Sequence, residues 1–400
     1  MVEMFEYIER FKKLGFGMFV HFGLYSVLGK GEWAKKALGI DGEEYDGLMN
    51  KFDVKKDWAK KLVSTAKSAG CKYIVLTTRH HDGFSLYDTK GLNDFDAPHS
   101  SCGRDLVREF VDECNKGGVV PFFYHTLLDW RVPEYKSDFP KYIDYLVKSI
   151  EILCSSYGKI GGLWFDGMWD KPNEDWQEDR IYSTIRKYQP EAMIINNTGL
   201  SEQGKRGHKE IDSVTFERGK PAFVDVSEKP VAGESCDGIN DHWGYAANDI
   251  CTKPVKTLVE HLITCRSCDC NFLLNCGPMG SGYLKPIEKC ELLEIGKWIK
   301  LNKKFVYNAH STELKANNAE MLFDGKYYYA AVANVPMWAD PNVSVGGFTA
   351  AVTVETGRKI SGAVWLDNAT KAEVDGNKIK VEPFPYGVSL GSRIVRFTLK

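Results

Sequence analysis

Residues 72–86 read KYIVLTTRHHDGFSL. The stretch opens on an almost wholly apolar run, Tyr73–Thr78, and then turns abruptly to Arg79, His80, His81 and Asp82 before Gly83. A run without polar alternation suits a strand buried on both faces, the habit of parallel sheets covered by helices. In a closed parallel barrel, the groups that follow the C-terminal ends of the strands are the ones that meet substrate.

The same design recurs on either side. Apolar runs stand at Gly17–Gly23 (GMFVHFG), Val119–His125 (VVPFFYH), Gly162–Asp166 (GLWFD), Ala192–Asn196 (AMIIN) and Asn271–Asn275 (NFLLN). Amphipathic stretches such as Asp57–Ala69, Arg104–Lys116 and Tyr142–Tyr157 separate them. Strand–helix alternation over about 300 residues predicts an α/β fold, a TIM-like (β/α) barrel occupying residues 1–308. The pattern changes after Trp298. Short alternating runs follow at Tyr327–Ala333, Ala350–Glu355, Gly362–Leu366, Lys378–Glu382 and Arg393–Leu399, with turn signals at Asp324-Gly325 and Asp375-Gly376. They predict a small antiparallel β-sandwich over 309–400. Pro336–Gly347 reads as a loop within it.

With 400 residues and a formal net charge of -2, the chain has no basic excess to neutralise phosphates, so nucleic acid is not an expected partner. No stretch approaches the roughly 20 apolar residues that cross a bilayer, so no membrane association is expected. Met1–Leu14 is charged and has no apolar centre, and the 11 cysteines are scattered. A cytoplasmic protein with reduced thiols is the expectation. Oligomeric assembly stays open on these grounds.

Charge and imidazole recur at the ends of successive apolar runs: His21, the His80-His81 pair, Tyr124-His125 and Asp166. A single histidine after a strand is more often structural than functional. Adjacent residues point to opposite faces, so His80 and His81 would need irregular backbone to share one ion. An aspartate at a strand end can simply cap a helix. Asp166, however, lies between Trp164 and Gly167, with Met168 and Trp169 beyond, which reads as a ligand pocket with aromatic walls. Glycoside hydrolysis needs two carboxylates, one to attack or steady the anomeric centre and one to protonate the leaving oxygen. The second is sought on the Gly- and Pro-punctuated stretch Phe216–Tyr245, at Glu217 or at Glu234. The Cys265–Cys270 segment runs straight into an apolar strand, so it reads as structural rather than as a zinc site. A metal-dependent hydrolase would need an H-x-H pair or its equivalent, and the first strand offers only His21. A sugar-binding barrel without catalysis would keep the aromatic and histidine pocket but lack a carboxylate, and Asp166 is present.

Five blocks carry a resemblance: Phe16–Val27 with Gly31-Glu32-Trp33, Lys72–Leu86, Leu163–Gly167, Asp241–Tyr245 (DHWGY) and Asn271–Pro278 (NFLLNCGP). In order and spacing the chain resembles glycoside hydrolase family twenty-nine, the α-L-fucosidases. The resemblance implies a (β/α) barrel followed by a β-sandwich. It implies retaining hydrolysis of terminal α-L-fucose from fucosylated oligosaccharides or glycosides, without metal or organic cofactor. The alternatives are an inactive sugar-binding barrel and a retaining glycosidase for another sugar. By the motif, Asp166 is the nucleophile. His21, Glu32, Trp33, His80, His81 and Tyr124 match positions lining the fucose pocket, and Trp164 and Trp243 match its aromatic walls. Glu217 is favoured as acid/base on loop position; Glu234 is the alternative, with Gly233 where a tryptophan is common. Asn196-Asn197-Thr198 departs from the Asn-Asp-Arg that many members carry, and Arg218 is a candidate to supply the missing sugar contact.

Overall fold

The computed structural model of the chain describes residues 5–333, 335 and 353–400. Eight strands close into a parallel barrel in chain order: β1 (Phe16–Val20), β2 (Tyr73–Arg79), β3 (Val120–Thr126), β4 (Gly162–Asp166), β5 (Met193–Asn196), β6 (Ser213–Glu217), β7 (Ala232–Gly238) and β8 (Cys270–Cys276). The strands are buried on both faces, and β1, β4, β5 and the first halves of β2 and β3 are apolar for that reason. On β2, Tyr73 and Val75 join a cluster with Phe19, Phe122, Trp164 and Leu273 that fills the barrel. Ile74 and Leu76 point outward and join the larger core shared with the helices. The helix Glu6–Lys12 contributes Ile8 and Phe11 to the inner cluster, closing the barrel at the N-terminal ends of the strands.

The outer helices follow from amphipathic sequence. Trp58–Ala69 buries Trp58, Leu62, Val63, Ala66 and Ala69. Leu106–Gly117 begins at Asp105, whose side chain accepts from the Arg108 backbone N–H, and Phe139–Ser156 is capped in the same way by Asp138 on Lys141. These carboxylates satisfy first-turn N–H groups that would otherwise lack partners.

Two of the eight strands, β6 and β7, lie in sequence that reads as irregular. Among the described residues, no α-helix separates β5 from β6 or β6 from β7. The strand–helix alternation that signals the other strands is missing there. The stretch Phe216–Tyr245 therefore holds the end of β6 and all of β7.

Beyond the helix Lys303–Tyr307 the elements become strands. A five-stranded antiparallel sheet contains β9 (His310–Ser311), β10 (Ala319–Phe323), β11 (Tyr328–Val332), β13 (Ile360–Trp365) and β16 (Arg393–Leu399). A second sheet contains β12 (Thr353–Glu355), β14 (Val374–Asp375) and β15 (Lys378–Lys380). Met321, Ala330 and Val395 of the first sheet share one core with Val354 and Ile379 of the second, giving the small sandwich. The expected loop Pro336–Gly347 and the opening of the expected strand at Ala350 lie outside the described residues. Among the described residues no helix is long and apolar enough to cross a membrane. All 11 cysteines are free thiols.

Candidate active site

The C-terminal ends of the barrel strands surround a cavity of about 540 Å³. His21 follows β1, His80 and His81 follow β2, and Tyr124 comes from β3. Asp166 ends β4, Asn197 follows β5, Glu217 ends β6 and Cys236 comes from β7. Trp33, Trp164, Trp169 and Trp243 line it as well.

Asp166 is fixed by three neutral donors. The Tyr124 hydroxyl donates to Oδ2 at 3.1 Å, and Trp169 Nε1 and Asn197 Nδ2 donate to Oδ1 at 3.0 and 3.2 Å. The turn that presents it needs Gly167, whose φ is +98°. A Cβ there would stand 2.6 Å from Leu128 Cβ and 2.8 Å from the Leu128 nitrogen. A larger residue would push the end of β4 away from the loop after β3.

Glu217 Oε2 accepts from the same Asn197 nitrogen at 2.7 Å. Burial and the neighbouring Asp166 carboxylate push the Glu217 carboxyl up to about 6. One amide nitrogen thus touches both carboxylates, 3.2 Å from one and 2.7 Å from the other. The two bonded oxygens therefore lie less than about 6 Å apart. This suits retaining glycosidases, at about 5–5.5 Å, and falls short of the roughly 6.5–9.5 Å of inverting ones.

Burial favours the neutral form of the imidazoles, and the neighbours of His21 and His81 fix their tautomers. Asn275 gives its N–H to the Trp243 carbonyl at 2.7 Å, so its oxygen faces His21 Nδ1 at 2.6 Å and accepts from it. Burial drives His21 down to about 3. Thr126 donates its hydroxyl to the Leu128 carbonyl, which leaves Thr126 Oγ1 to accept from His81 Nδ1 at 2.7 Å. Burial also lowers His81 and His80. In both His21 and His81 the free nitrogen is Nε2, and that of His81 stands 3.6 Å from Asp166. His80 stacks on Tyr124 with ring centroids 5.6 Å apart.

Two of the expected site residues do not line the cavity. Glu32 is buried behind the wall, where its carboxylate accepts the Gly244 backbone N–H at 2.7 Å and holds the segment carrying Trp243. Glu234 is 0% exposed inside the barrel. Its Oε1 accepts from Trp164 Nε1 at 2.9 Å, and its Oε2 accepts from the Tyr73 hydroxyl. Inward-facing residues on a strand repeat every second position, about 6.6 Å apart. Cys236 reaches the cavity, so Glu234 sits one layer below it. Burial pushes the Glu234 carboxyl up to about 7.

Arg218, the candidate for an extra sugar contact, is turned to the rim. It adopts a φ of +51°, donates to the Asp241 carbonyl at 2.8 Å and lies 4.7 Å above the Trp243 ring. The sequence reading left out Asn197 and Cys236 as site residues, and it read Trp169 only as an aromatic wall, not as a donor to Asp166. Nothing in the sequence singles Asn197 out from an ordinary turn residue after a strand. Within the Cys265–Cys270 segment, the Cys268 and Cys270 thiols point to the Pro221 and Ala222 carbonyls at 3.7 and 3.5 Å. Among the described residues the grouping suited to a metal is Asp241, Asp249 and Cys251, and none of the three lines the cavity.

A family profile described as alpha-L-fucosidase matches residues 3–304, three quarters of the chain. The chain belongs to the α-L-fucosidase family. Among curated proteins, the alpha-L-fucosidase of Dictyostelium discoideum is 26% identical over 330 residues, covering 74% of this chain and 70% of that one. The tissue alpha-L-fucosidase of Homo sapiens is 26% identical over 332 residues, covering 74% and 68%. Among solved structures, alpha-L-fucosidase isoenzyme 1 from Paenibacillus thiaminolyticus superposes with a TM-score of 0.86 at 28% identity, covering 99% of both chains. In this α-L-fucosidase the profile covers the whole barrel, and the structural likeness extends through the C-terminal sheets.

Proposed function

We propose that this α-L-fucosidase releases terminal α-L-fucose by retaining double displacement, with Asp166 as nucleophile and Glu217 as acid/base. The observation that carries the assignment is the shared contact with Asn197, which places both carboxylates at one cavity within retaining distance. Asp166 attacks the anomeric carbon while protonated Glu217 gives its proton to the departing glycosidic oxygen. The product is a fucosyl ester on Asp166 and a free alcohol. Glu217 then takes a proton from water, the water oxygen bonds to the anomeric carbon, and Asp166 leaves as carboxylate.

The charge coupling supports both halves of the cycle. The negative charge of Asp166 helps hold Glu217 protonated before reaction. Esterification removes that charge, so Glu217, which has just given up its proton, stays ionised until it takes one from water. His21, His80, His81 and Tyr124 are suited to the sugar hydroxyls, and Trp164 with Trp243 to its apolar face and C6 methyl.

The test is proton NMR of an aryl α-L-fucoside during the first turnovers. Early appearance of α-fucose, before mutarotation, is expected; β-fucose as first product would overturn the mechanism. Aryl α-L-galactoside and β-D-galactoside assayed alongside decide the sugar, with turnover strongest on the fucoside.

A further inference from the structure

Resting on that reading, we propose that Asn197 is a positioning residue that clamps nucleophile and acid/base together, and that Thr215 sets which way its amide faces. The resemblance leaves a gap here, because Thr198 stands where many members carry arginine. Thr198 turns away and donates to the Glu202 carbonyl at 2.7 Å. Arg218 is committed to Asp241 and Trp243. The contact between the carboxylates comes instead from an uncharged amide that is 3% exposed.

An amide can face two ways, and only one of them works. With its nitrogen inward, Asn197 offers one N–H to Asp166 and one to Glu217. With its oxygen inward, it would set a lone pair against Asp166 and, once Glu217 has given up its proton, against Glu217 as well. The choice is made on the far side. Thr215, buried on β6 two residues before Glu217, donates its hydroxyl to Asn197 Oδ1 at 3.0 Å, and the Gly199 backbone N–H adds a weaker contact at 3.4 Å. A hydroxyl that touches neither carboxylate thereby fixes the geometry of both.

A neutral clamp differs from a cationic one in its effect on the acid. An arginine between the carboxylates would hold Glu217 ionised, whereas the amide stabilises the carboxylate only by one hydrogen bond. The groups facing Glu217 are Asp166 from β4, Glu32 from the segment after β1, Arg218 beside it, the Tyr124 phenol from β3 and the Cys236 thiol opposite on β7. Of these, only Arg218 bears positive charge.

The experiment compares Asn197→Ala, Thr215→Val and the double variant with wild type on an aryl α-L-fucoside across pH, with thermal unfolding in parallel. Wild-type turnover with retention comes first; its failure would remove the proposed mechanism and the clamp with it, whereas a failure confined to the variants removes the clamp alone. Asn197→Ala is expected to lower kcat by up to about 100-fold, the cost of misplacing reacting groups, with a much smaller change in KM. Its alkaline limb should move to higher pH, because the lost hydrogen bond had favoured ionised Glu217. Thr215→Val, nearly isosteric, should move kcat and the limb in the same direction, and the double variant should be no worse than Asn197→Ala. Additive effects, or a Thr215→Val profile unchanged from wild type, overturn the clamp. If Asn197→Ala does not fold, Thr215→Val decides alone.

Discussion

Asp166 receives hydrogen bonds from Tyr124, Trp169 and Asn197, none of them charged. Such donors orient a carboxylate without neutralising it, which suits a group that must attack. Asp166→Gly should abolish turnover while leaving circular dichroism and the unfolding midpoint close to wild type. Azide should partly restore release from an activated fucoside. Activity within about tenfold of wild type, a barrier change near 1.4 kcal/mol, would remove Asp166 from the mechanism. Glu217 and Glu234 separate by a different assay. A general acid matters most when the leaving group is poor. Glu217→Ala should nearly lose natural fucosides, keep much of its first step on a nitrophenyl fucoside, and turn over faster with azide to give α-fucosyl azide. Glu234→Ala should damage both substrates alike and ignore azide. With Glu217 protonated in the working form, the alkaline limb of wild-type kcat/KM should fall near pH 6. Asp166 was legible because a charge at the end of an apolar strand has few structural excuses. Asn197 was not, because an amide after a strand looks like any turn residue until its neighbours are known.

At the scale of the element, β7 is the instructive case. Its sequence, Ala-Gly-Glu-Ser-Cys-Asp-Gly, has the composition of a loop, yet every residue in it is buried. Tertiary context overrides propensity here. Tyr73 and Trp164 bring an O–H and an N–H into the barrel, and Glu234 accepts both. With Gly233, a Cβ would stand 2.4 Å from Cys270 Sγ, so the strand passes too close to β8 for any side chain outward. The six strands other than β6 and β7 announced themselves by runs of Val, Ile, Leu and Phe, whereas the short β6 was hidden by its missing helices. The Glu234 carboxyl also carries a signature in stability. Its folded pKa, about 7, exceeds the ordinary value near 4.3, so the native state holds this proton more tightly than the unfolded chain. Its stabilising effect is therefore full below the ordinary value and lost as pH rises through about 7. Glu234→Gln should lose less unfolding temperature between pH 5 and pH 8 than wild type. Part of the slope should remain, since burial also pushes Glu288 up to about 7. An unchanged slope in the variant would mean that Glu234 is not the titrating group.

Across the whole molecule, stability and catalysis are built in separate places. The C-terminal sheets dock on the last long barrel helix, Pro286–Leu301, where Trp298 Nε1 donates to the Ser392 carbonyl at 2.9 Å. Arg393 beside it pairs with Asp367 at 3.1 Å and lies over the Trp365 ring. Among the described residues, none beyond Trp243 lines the cavity. Trp298→Phe keeps most of the ring but leaves a buried carbonyl short of its donor, at a cost of about 1–3 kcal/mol. The unfolding midpoint should drop while kcat and KM on an aryl fucoside stay within twofold of wild type, by the same order-of-magnitude reasoning. A loss of kcat at unchanged stability would mean that the sandwich reaches the site after all. The change from helix-period to strand-period sequence after Trp298 made this division readable in advance. The docking contacts were not readable, because they join residues nearly a hundred positions apart.

The tautomers of His21 and His81 have a further consequence. With Nδ1–H spent on Asn275 and Thr126, each ring keeps Nε2 as a bare lone pair at the cavity, that of His81 3.6 Å from Asp166, and burial disfavours a proton there. If these rings meet the sugar as proposed, the pocket reads a ligand by the protons it can give, not merely by where its oxygens lie. A fucoside in which fluorine replaces the hydroxyl facing one of these rings keeps the shape and loses the proton, setting two electron-rich atoms against each other. Singly deoxyfluorinated fucosides outside C2, where fluorine also changes the chemistry, should be rejected more strongly than the corresponding deoxy compounds, and inhibition constants measured against one aryl fucoside will show whether that order holds.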